Sequence, residues 1–252
     1  MEINKVYLGD CIEIMKTLPS ESIDLIFADP PFNIGIKYDV HNDNMPYEEY
    51  HNWSEKWIKE TYRLLKDNGA IYIAIGDEFS AEINLILKKM GFYFRNWIIW
   101  YYTFGQNQRK KFNRAHTHIF YFTKNKNNFV FNADAVRVPS ARQSIYNDKR
   151  AYPKGKVPDD VWQISRICGT FKERASKHPC QMPEALLERI IKASSNENDV
   201  VLDPFAGTGT TLVVAKKLNR RFIGIEKSPS YYKMVKDRLS NVLPLFQHAH
   251  GE

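Results

Sequence analysis

The sequence has few cysteines, no long apolar run and little glycine or proline, and each shortage excludes a class of protein. Its three cysteines, Cys11, Cys168 and Cys180, are far apart and form neither a zinc-type spacing nor an even disulfide framework. The longest apolar runs, among them Trp97 to Tyr102, have six residues, whereas a membrane helix needs roughly 20. Twelve glycines and 12 prolines exclude a fibrous or low-complexity chain. We therefore expect reduced thiols and a soluble, cytoplasmic protein with no membrane association.

Positive charge is concentrated in one part of the chain. Of the 252 residues, 36 are Lys or Arg and 29 are Asp or Glu, which gives a net charge of +7. Residues 106–176 hold 15 basic and 5 acidic side chains, and the remainder holds 21 basic and 24 acidic ones. A basic segment on a near-neutral body indicates a polyanionic partner.

Apolar runs and helical patterns alternate along most of the chain, which at 252 residues with 43% hydrophobic content suits one large domain. Strands are predicted at 3–8, 23–28, 70–75, 96–102, 118–123, 200–202 and 221–225. Helices are predicted at 11–18, 46–64, 81–90, 182–193 and 211–218, and the spacing within 46–64 favours a core position for Trp53. This alternation predicts an α/β fold with a doubly wound, mostly parallel sheet. Such sheets bind ligands at the carboxyl ends of their strands.

A glycine-bearing turn follows one of these strands. It spans Asp203 to Thr211, between a strand and a helix, where the backbone can approach a ligand closely. Glu226 ends the next strand, 17 residues after Gly209, and an acidic side chain at that place suits ribose hydroxyls. The pair predicts an adenosine-type cofactor, although Leu212 replaces the third glycine of the dinucleotide fingerprint.

The tetrapeptide Asp29-Pro30-Pro31-Phe32 follows another buried strand. An exocyclic amine on a nucleobase is a poor nucleophile because its lone pair is delocalised into the ring. A carboxylate and a rigid backbone carbonyl that accept its two N–H bonds would localise that lone pair, and Phe32 offers a stacking face for a base removed from its duplex. Taken alone, the tetrapeptide is equally a proline-rich turn.

These motifs together resemble the DNA amino-methyltransferases. The order of the motifs, with the catalytic one before the cofactor one, is similar to the β group of that family, which methylates adenine N6 or cytosine N4. Leu8-Gly9-Asp10-Cys11 and Lys177-His178-Pro179-Cys180-Gln181 resemble two further blocks of the group. The resemblance implies a Rossmann-like, S-adenosylmethionine-dependent methyltransferase fold in circularly permuted motif order. Residues 1–125 and 177–252 would form the catalytic and cofactor domain, and 126–176 would be the target-recognition segment.

The resemblance also implies roles for matching positions. Asp29 and the Pro30 carbonyl would bind the target amine, within a motif completed by Pro31 and Phe32. The cofactor-binding residues would be Asp10, Cys11, His178, Gln181, Asp203, Phe205, Ala206, Gly207, Thr208, Gly209, Thr210 and Glu226. The Asp at the head of the tetrapeptide favours adenine N6, because family members acting on cytosine N4 usually begin with Ser.

Double-stranded DNA is the partner that the basic segment and the resemblance indicate. Phosphate contacts are expected from the loop residues Arg109, Lys110, Lys111 and Arg114. Base readout is expected from Arg137, Arg142, Arg150, Arg166 and Arg174. Whether the protein dimerises, and whether a restriction endonuclease is paired with it, stays open.

Several alternatives compete with this interpretation. They are a cytosine-N4 enzyme, a catalytically silent DNA-binding protein and a nicotinamide-dependent oxidoreductase. Pro179-Cys180-Gln181 matches the tripeptide of cytosine-C5 enzymes, but it precedes the glycine turn and leads into a helix. No metal is expected, because His116 and His118 share a strand face without a third ligand in register.

Overall fold

The computed structural model describes residues 1–36, 40, 43–102, 108–168, 173–174 and 181–242. Eight strands in this part of the chain form one sheet, in the order β1-β8-β7-β2-β3-β5-β4-β6. The strands are β1 (Lys5–Leu8), β2 (Ile23–Ala28), β3 (Leu65–Ile75), β4 (Tyr93–Tyr101), β5 (His116–Thr123), β6 (Val161–Gln163), β7 (Val200–Asp203) and β8 (Arg221–Glu226). Only β5 runs antiparallel to its neighbours among these, so the mostly parallel sheet that the sequence predicts is confirmed.

Helices cover both faces of the sheet. They are α1 (Cys11–Thr17), α2 (Tyr47–Leu64), α3 (Ser80–Lys89), α4 (Ala141–Ser144), α5 (Glu184–Ser194), α6 (Thr210–Lys217) and α7 (Pro229–Ser240). Alternate residues of β3 enter opposite cores: Tyr72 packs with the apolar residues of α5, α6 and α7, and Ile73 packs with those of α1, α2 and α3. The result is a three-layer α/β/α arrangement, which explains why the central strands are apolar throughout.

The boundary between α2 and β3 differs from the prediction. The strand begins at Leu65, directly after the helix, whereas Asp67 to Gly69 had the composition of a turn. The pairing with β2 shifts register here, from Ile23 opposite Leu65 to Leu25 opposite Ala70. The turn-forming residues are therefore accommodated as an irregularity inside the strand.

The segment 126–176 contributes to the main sheet and core. Its strand β6 pairs parallel with β4 at the edge of the sheet. The Trp162 side chain is 8% exposed within the core shared by α5, and its ring lies 4.9 Å from the Arg189 guanidinium of that helix. A three-residue strand in a stretch without periodicity gives no sequence signal, so this contribution was not predicted.

No helix in the described ranges is long and apolar enough to cross a lipid bilayer.

Candidate active site

Four neighbouring parallel strands end side by side at one edge of the sheet. In the pairing register Leu8 lies opposite Glu226, and Asp203 lies opposite Gly224. The next neighbour, β2, ends one residue before Asp29. A cavity opens at this edge. The predicted site residues that line it are Asp29, Pro30, Pro31, Phe32, Asp10, Cys11, Asp203, Phe205, Ala206, Gly207, Thr208, Thr210 and Glu226.

The glycine turn is held from two sides. Gly207 and Gly209 have φ of 51° and 75°, in the left-handed region that glycine adopts at little cost. A Cβ on Gly209 would lie 2.6 Å from Cγ1 of Val235 in α7, so Gly209 packs against that helix, outside the cavity lining. The Arg238 side chain, also in α7, donates to the Thr208 carbonyl at 2.5 Å. The close packing of α7 therefore fixes the turn.

Glu226 connects this turn to the end of β8. Its Oε2 accepts from the Gly207 amide at 2.7 Å, and its Oε1 accepts from the Ser228 amide at 2.7 Å. The residue is 9% exposed. Glu226 also lines the cavity, and an acidic side chain at the end of such a strand suits ribose hydroxyls.

Asp10 caps the N-terminus of α1. Its Oδ1 accepts from the Ile12 amide at 3.0 Å, and its Oδ2 lies 3.5 Å from Lys227 Nζ in an exposed ion pair, which contributes little to stability. The adjoining Cys11 is buried, and burial raises the pKa of its thiol to about 12. Cys11 is therefore a neutral, packing thiol at neutral pH.

Two carboxyl groups lie at the centre of the site. Burial raises the pKa of Asp203 to about 7, although hydrogen bonds from Thr211 and from the Phe205 amide lower the pKa in part. Burial also raises the pKa of Asp29 well above its usual value, and the charge of Asp203 raises it further. The Asp29 residue nevertheless keeps an accessible edge toward the cavity. Paired, desolvated carboxyls of this kind favour binding of a cation.

Phe32 and Pro31 have fixed neighbours. The Phe32 ring lies against Gly76, where a Cβ would be 3.1 Å from Cδ2 of the ring. The Tyr50 hydroxyl, whose pKa is raised by burial, donates to the Pro31 carbonyl at 2.7 Å. The Pro31 carbonyl is therefore engaged within the protein, and Pro30 lies beside it in the lining of the cavity.

Some predicted cofactor residues are not brought to the cavity, and other residues are. Gln181 is 7% exposed and donates to the Glu173 carbonyl at 2.6 Å. His178, together with Cys180, lies outside the described residues. Trp53, expected in the core, lines the cavity, and its ring centroid is 5.7 Å from that of Phe205. Further lining residues outside the prediction are Gly9, Phe27, Ile36, Val40, Met182, Pro204, Thr211, Ile225, Lys227 and Tyr231.

The predicted DNA-binding residues divide into exposed and engaged groups. Arg109, Lys110 and Lys111 are exposed on the loop before β5, on the same edge of the sheet as the cavity because β5 is antiparallel to β3. Arg114 is anchored by Asp77, 2.8 Å away.

The predicted base-reading arginines within residues 126–176 also have contacts within the protein. Arg137 pairs with Asp134 at 2.7 Å, and Arg142 and Arg150 lie 3.6 and 2.9 Å from Asp148. The Arg166 guanidinium lies 4.9 Å from the centre of the Tyr102 ring. Arg174 is exposed and has an interaction of its own.

The two histidines meet an acidic residue that the sequence did not reveal. Asp77 Oδ1 lies 3.4 Å from His118 Nε2 and 4.0 Å from His116 Nε2. Trp97 Nε1, which can only donate, lies 3.0 Å from His118 Nδ1. That bond places the proton of neutral His118 on Nε2, facing Asp77, so Nε2 has no lone pair for a metal ion. Burial and the charge of His116 lower the pKa of His118 and so favour this neutral form.

The lining fits S-adenosylmethionine by its chemistry. The acidic side chains of Asp10, Asp203 and Glu226 suit hydroxyl groups and positive charge, and Phe205 and Trp53 offer apolar faces. A glycine turn whose Gly207 amide is already held by Glu226 can bind such a molecule with little reorganisation.

Comparison with known proteins identifies the family. A family model described as DNA methylase (N6/N4) matches residues 23–237. The chain is 42% identical to type II methyltransferase M.HpaI of Haemophilus parainfluenzae, over 94% of this chain and 74% of that protein. It is 38% identical to DNA adenine methyltransferase YhdJ of Escherichia coli K12, over 94% of this chain and 83% of the relative.

A solved structure supports the same assignment. The M1.HpyAVI–SAM complex superposes with a TM-score of 0.67 at 28% identity, covering 93% of this chain and 98% of that one. The glycine turn, the acidic strand ends and these similarities agree, and the chain belongs to the N6/N4 family of S-adenosylmethionine-dependent DNA methyltransferases.

Proposed function

We propose that the protein methylates the exocyclic N6 amine of adenine in duplex DNA after flipping the base out of the helix. The observation that supports this most directly is the shared cavity: Asp29 from the end of β2 and the glycine turn after β7 open onto the same space. Adenine is favoured over cytosine by Asp29 at the head of the tetrapeptide. It is favoured also by the similarity to YhdJ, which is named an adenine methyltransferase.

Asp29 and Pro30 bind the target amine in this proposal. The carboxylate and the backbone carbonyl each accept one N–H, which turns the nitrogen lone pair toward the methyl donor. S-adenosylmethionine, when bound, supplies a methyl group on a positively charged sulfonium. The amine nitrogen becomes positively charged as it gains the methyl group, and Asp29 then holds the proton that it loses. The raised pKa of Asp29 makes the carboxylate a better proton acceptor than an exposed one.

Phe32 stacks on the flipped base. Its ring is supported from behind by Gly76, and the preceding Pro31 is held by Tyr50. A base extruded from a duplex loses its stacking partners, and an aromatic face in the pocket replaces part of that energy. Positioning by Asp29, Pro30 and Phe32 supplies much of the acceleration, because methyl transfer requires an in-line approach.

The cofactor would be held at the other end of the cavity. Glu226 binds the ribose hydroxyls and Asp10 the adenine amino group, while Phe205 to Thr210 surround the methionine part. Gln181, bonded to Glu173, acts on this site by holding the chain before α5. These roles follow the matching positions of the family and agree with the lining of the cavity.

DNA would bind over the sheet edge that carries the cavity. Arg109, Lys110 and Lys111 contact phosphates. Residues 1–125 and 177–252 form the catalytic and cofactor domain, and residues 126–176 are the target-recognition segment that reads bases. Binding to chromosomal DNA places the protein in the cytoplasm, at the nucleoid. The similarity to M.HpaI, named a type II methyltransferase, favours pairing with a restriction endonuclease.

Nucleoside mass spectrometry tests this function. The protein is incubated with labelled S-adenosylmethionine and unmethylated genomic DNA, and the digest is examined for methylated bases. We expect N6-methyladenine with the wild-type protein and none with Asp29→Ala, while Glu48→Gln, an exposed carboxylate on α2, serves as the matched control. N4-methylcytosine would overturn the adenine assignment. No methylated base, with cofactor bound, would overturn methyl transfer to DNA.

A further inference from the structure

Asp43 has an arrangement of contacts that the catalytic motif does not explain. The residue is 2% exposed. Its Oδ1 accepts from the Asn33 amide at 2.8 Å, and its Oδ2 accepts from the amides of Ile34 and Ile36 at 3.2 and 2.8 Å. The Gly35 amide donates to the Asp43 carbonyl at 2.7 Å. Four consecutive amides therefore converge on one residue.

A buried carboxylate is stable only where donors replace the water that it has lost. In the described part of the chain, the hydrogen-bond donors to this carboxylate are the backbone amides of Asn33, Ile34 and Ile36. The charge of Asp43 and the conformation of residues 33–36 thus depend on each other. Hydrogen bonds to an ionised acceptor are about twice as strong as neutral ones.

The segment that Asp43 holds begins immediately after Phe32. Asn33 adopts φ 57°, and its side chain donates to the Met45 carbonyl at 2.9 Å and accepts from the Met45 amide at 2.6 Å. On the other side of Phe32, the Pro31 carbonyl is held by Tyr50. Hydrogen bonds to residues 43–50 therefore fix the chain on both sides of Phe32. Ile36, in the segment that Asp43 orders, lines the cavity.

We propose that Asp43 is a positioning residue for methyl transfer: by ordering residues 33–36 it sets the orientation of Phe32 toward the flipped base. Asp43 itself does not touch the reacting atoms. The inference rests on the proposed function, since it assigns Phe32 the stacking role. A positioning role for Asp43 makes a different prediction from a purely structural one. If Asp43 positions Phe32, its loss slows methyl transfer but does not weaken cofactor binding at the ends of β7 and β8.

Graded variants separate these roles. Asp43→Asn keeps the size of the side chain, but its NH₂ group must face at least one of the three amide donors. Asp43→Ala removes all three acceptor bonds. Asn33→Gly keeps a residue that tolerates positive φ and removes the Met45 contacts. Glu48→Gln removes an exposed charge five residues further along the chain and is the matched control.

Three measurements are made on each full-length variant: hydrogen exchange of the amides at 33–36, the dissociation constant for S-adenosylmethionine, and the single-turnover rate of methyl transfer to unmethylated genomic DNA at saturating cofactor. For Asp43→Asn we expect at least tenfold faster exchange at 33–36, at least a tenfold lower rate, and cofactor affinity within twofold of wild type. Asp43→Ala should be affected more, Asn33→Gly in the same direction, and Glu48→Gln not at all.

The outcomes that overturn the proposal are distinct from failure of the proposed function. Faster exchange with an unchanged rate would show that the order of this segment is irrelevant to catalysis. An equal loss of cofactor affinity and rate would make Asp43 part of the cofactor cavity wall. Unchanged exchange at 33–36 in Asp43→Ala would refute the ordering itself, whether or not the wild-type protein methylates DNA. A wild-type protein without methyl transfer would refute the proposed function and, with it, the catalytic part of this role.

Discussion

Asp203 ends β7 and Asp29 directly follows the neighbouring strand β2, and the charge of Asp203 raises the pKa of Asp29. Both groups are desolvated, and burial is the larger cause of the raised pKa in each. The ionised forms of both carboxyls are thus disfavoured in the free site, and a bound cation would favour them. Active sites commonly retain such destabilising carboxyls because ligand binding needs them.

The first prediction is that Asp203→Asn stabilises the folded protein above pH 7. The unfolded chain releases the Asp203 proton near its ordinary value of 3.8, and the folded protein keeps it up to about 7. The folded state therefore binds more protons between these values, and the free energy of unfolding falls as pH rises through that window. The amide of Asp203→Asn does not titrate, so the free energy of unfolding of this variant does not fall in that window. The variant should therefore be more stable than wild type by roughly 4 kcal/mol at pH 8 and by little at pH 4.

Urea unfolding at pH 4, 6 and 8 measures this difference. Glu48→Gln is the control for removal of an exposed carboxylate, and we expect it to stay within about 0.5 kcal/mol of wild type throughout. An Asp203→Asn variant that is less stable than wild type at pH 8 would contradict the assignment of the raised pKa to burial. S-adenosylmethionine affinity should fall in the same variant, because the cavity loses negative charge.

The ends of the central strands could be predicted from the sequence because their signals are local. Asp29 and Glu226 directly follow or end apolar runs, and adjacent parallel strands bring such residues to one edge. The contacts that support the site could not be predicted, because they join residues far apart in sequence. Asp77 reaches His118 from the end of β3, and Arg238 reaches Thr208 from α7.

Trp53 shows a further limit of periodicity. Helical spacing predicts which face of α2 is apolar, and Trp57 on that face is fully buried. The same spacing cannot distinguish a residue packed under the sheet from one packed against a ligand cavity, and Trp53 lies at the cavity. Ligand sites are themselves largely apolar, which makes the two environments alike in sequence.

The second prediction concerns the glycine turn. Gly209→Ala places a Cβ 2.6 Å from Val235 at a φ of 75°, so both a clash and backbone strain oppose it. Gly35→Ala introduces a Cβ at a φ of 80° with no atom of the described residues within 4 Å, so among these residues it meets backbone strain and no clash. We expect a loss of about 1 kcal/mol for Gly35→Ala and about 3 kcal/mol for Gly209→Ala.

Chemical denaturation and cofactor titration distinguish the two glycine variants. Gly209→Ala should also weaken S-adenosylmethionine binding by at least tenfold, because the turn can relieve the clash only by moving. Gly35→Ala should leave that affinity unchanged. Equal stability losses in the two variants would show that Val235 moves aside and that the packing of α7 does not hold the turn.

The third prediction separates catalysis from cofactor binding. Asp29→Asn and Asp29→Ala should lower single-turnover methyl transfer by at least about 10³-fold, since the carboxylate acts on the target amine as it reacts. Their affinity for S-adenosylmethionine should remain within about threefold of wild type. The variants lose the electrostatic attraction of Asp29 for the positively charged cofactor, but they keep that of Asp203.

Glu226→Gln is the complementary variant for this comparison. It keeps the size of the side chain but removes acceptor positions beside the Gly207 and Ser228 amides. We expect a cofactor affinity at least tenfold weaker and a nearly normal rate once cofactor is saturating. If Asp29→Ala lost cofactor binding but kept residual methyl transfer, Asp29 would belong to the cofactor site and its assignment to the target base would be wrong.

The last prediction concerns the basic loop before β5. Arg109, Lys110 and Lys111 are exposed, whereas Arg114 is paired with Asp77 at 2.8 Å. Each phosphate neutralised by a protein cation contributes about 0.9 to the slope of log affinity against log salt concentration. Replacing the three exposed residues with Gln should therefore make the slope shallower by up to about 3, and replacing Arg114 alone should change it by less than about 1.

Fluorescence anisotropy with a labelled duplex at roughly 50–200 mM salt, a range over which phosphate contacts change affinity strongly, measures the slope. The matched control is Lys88→Gln with Lys89→Gln, two exposed lysines at the C-terminus of α3, which leads back to the opposite edge of the sheet. That pair should leave the slope unchanged, because those side chains lie away from the cavity. If the control variant flattened the slope and the triple variant did not, DNA would bind across the other edge, and Asp29 could not reach a flipped base.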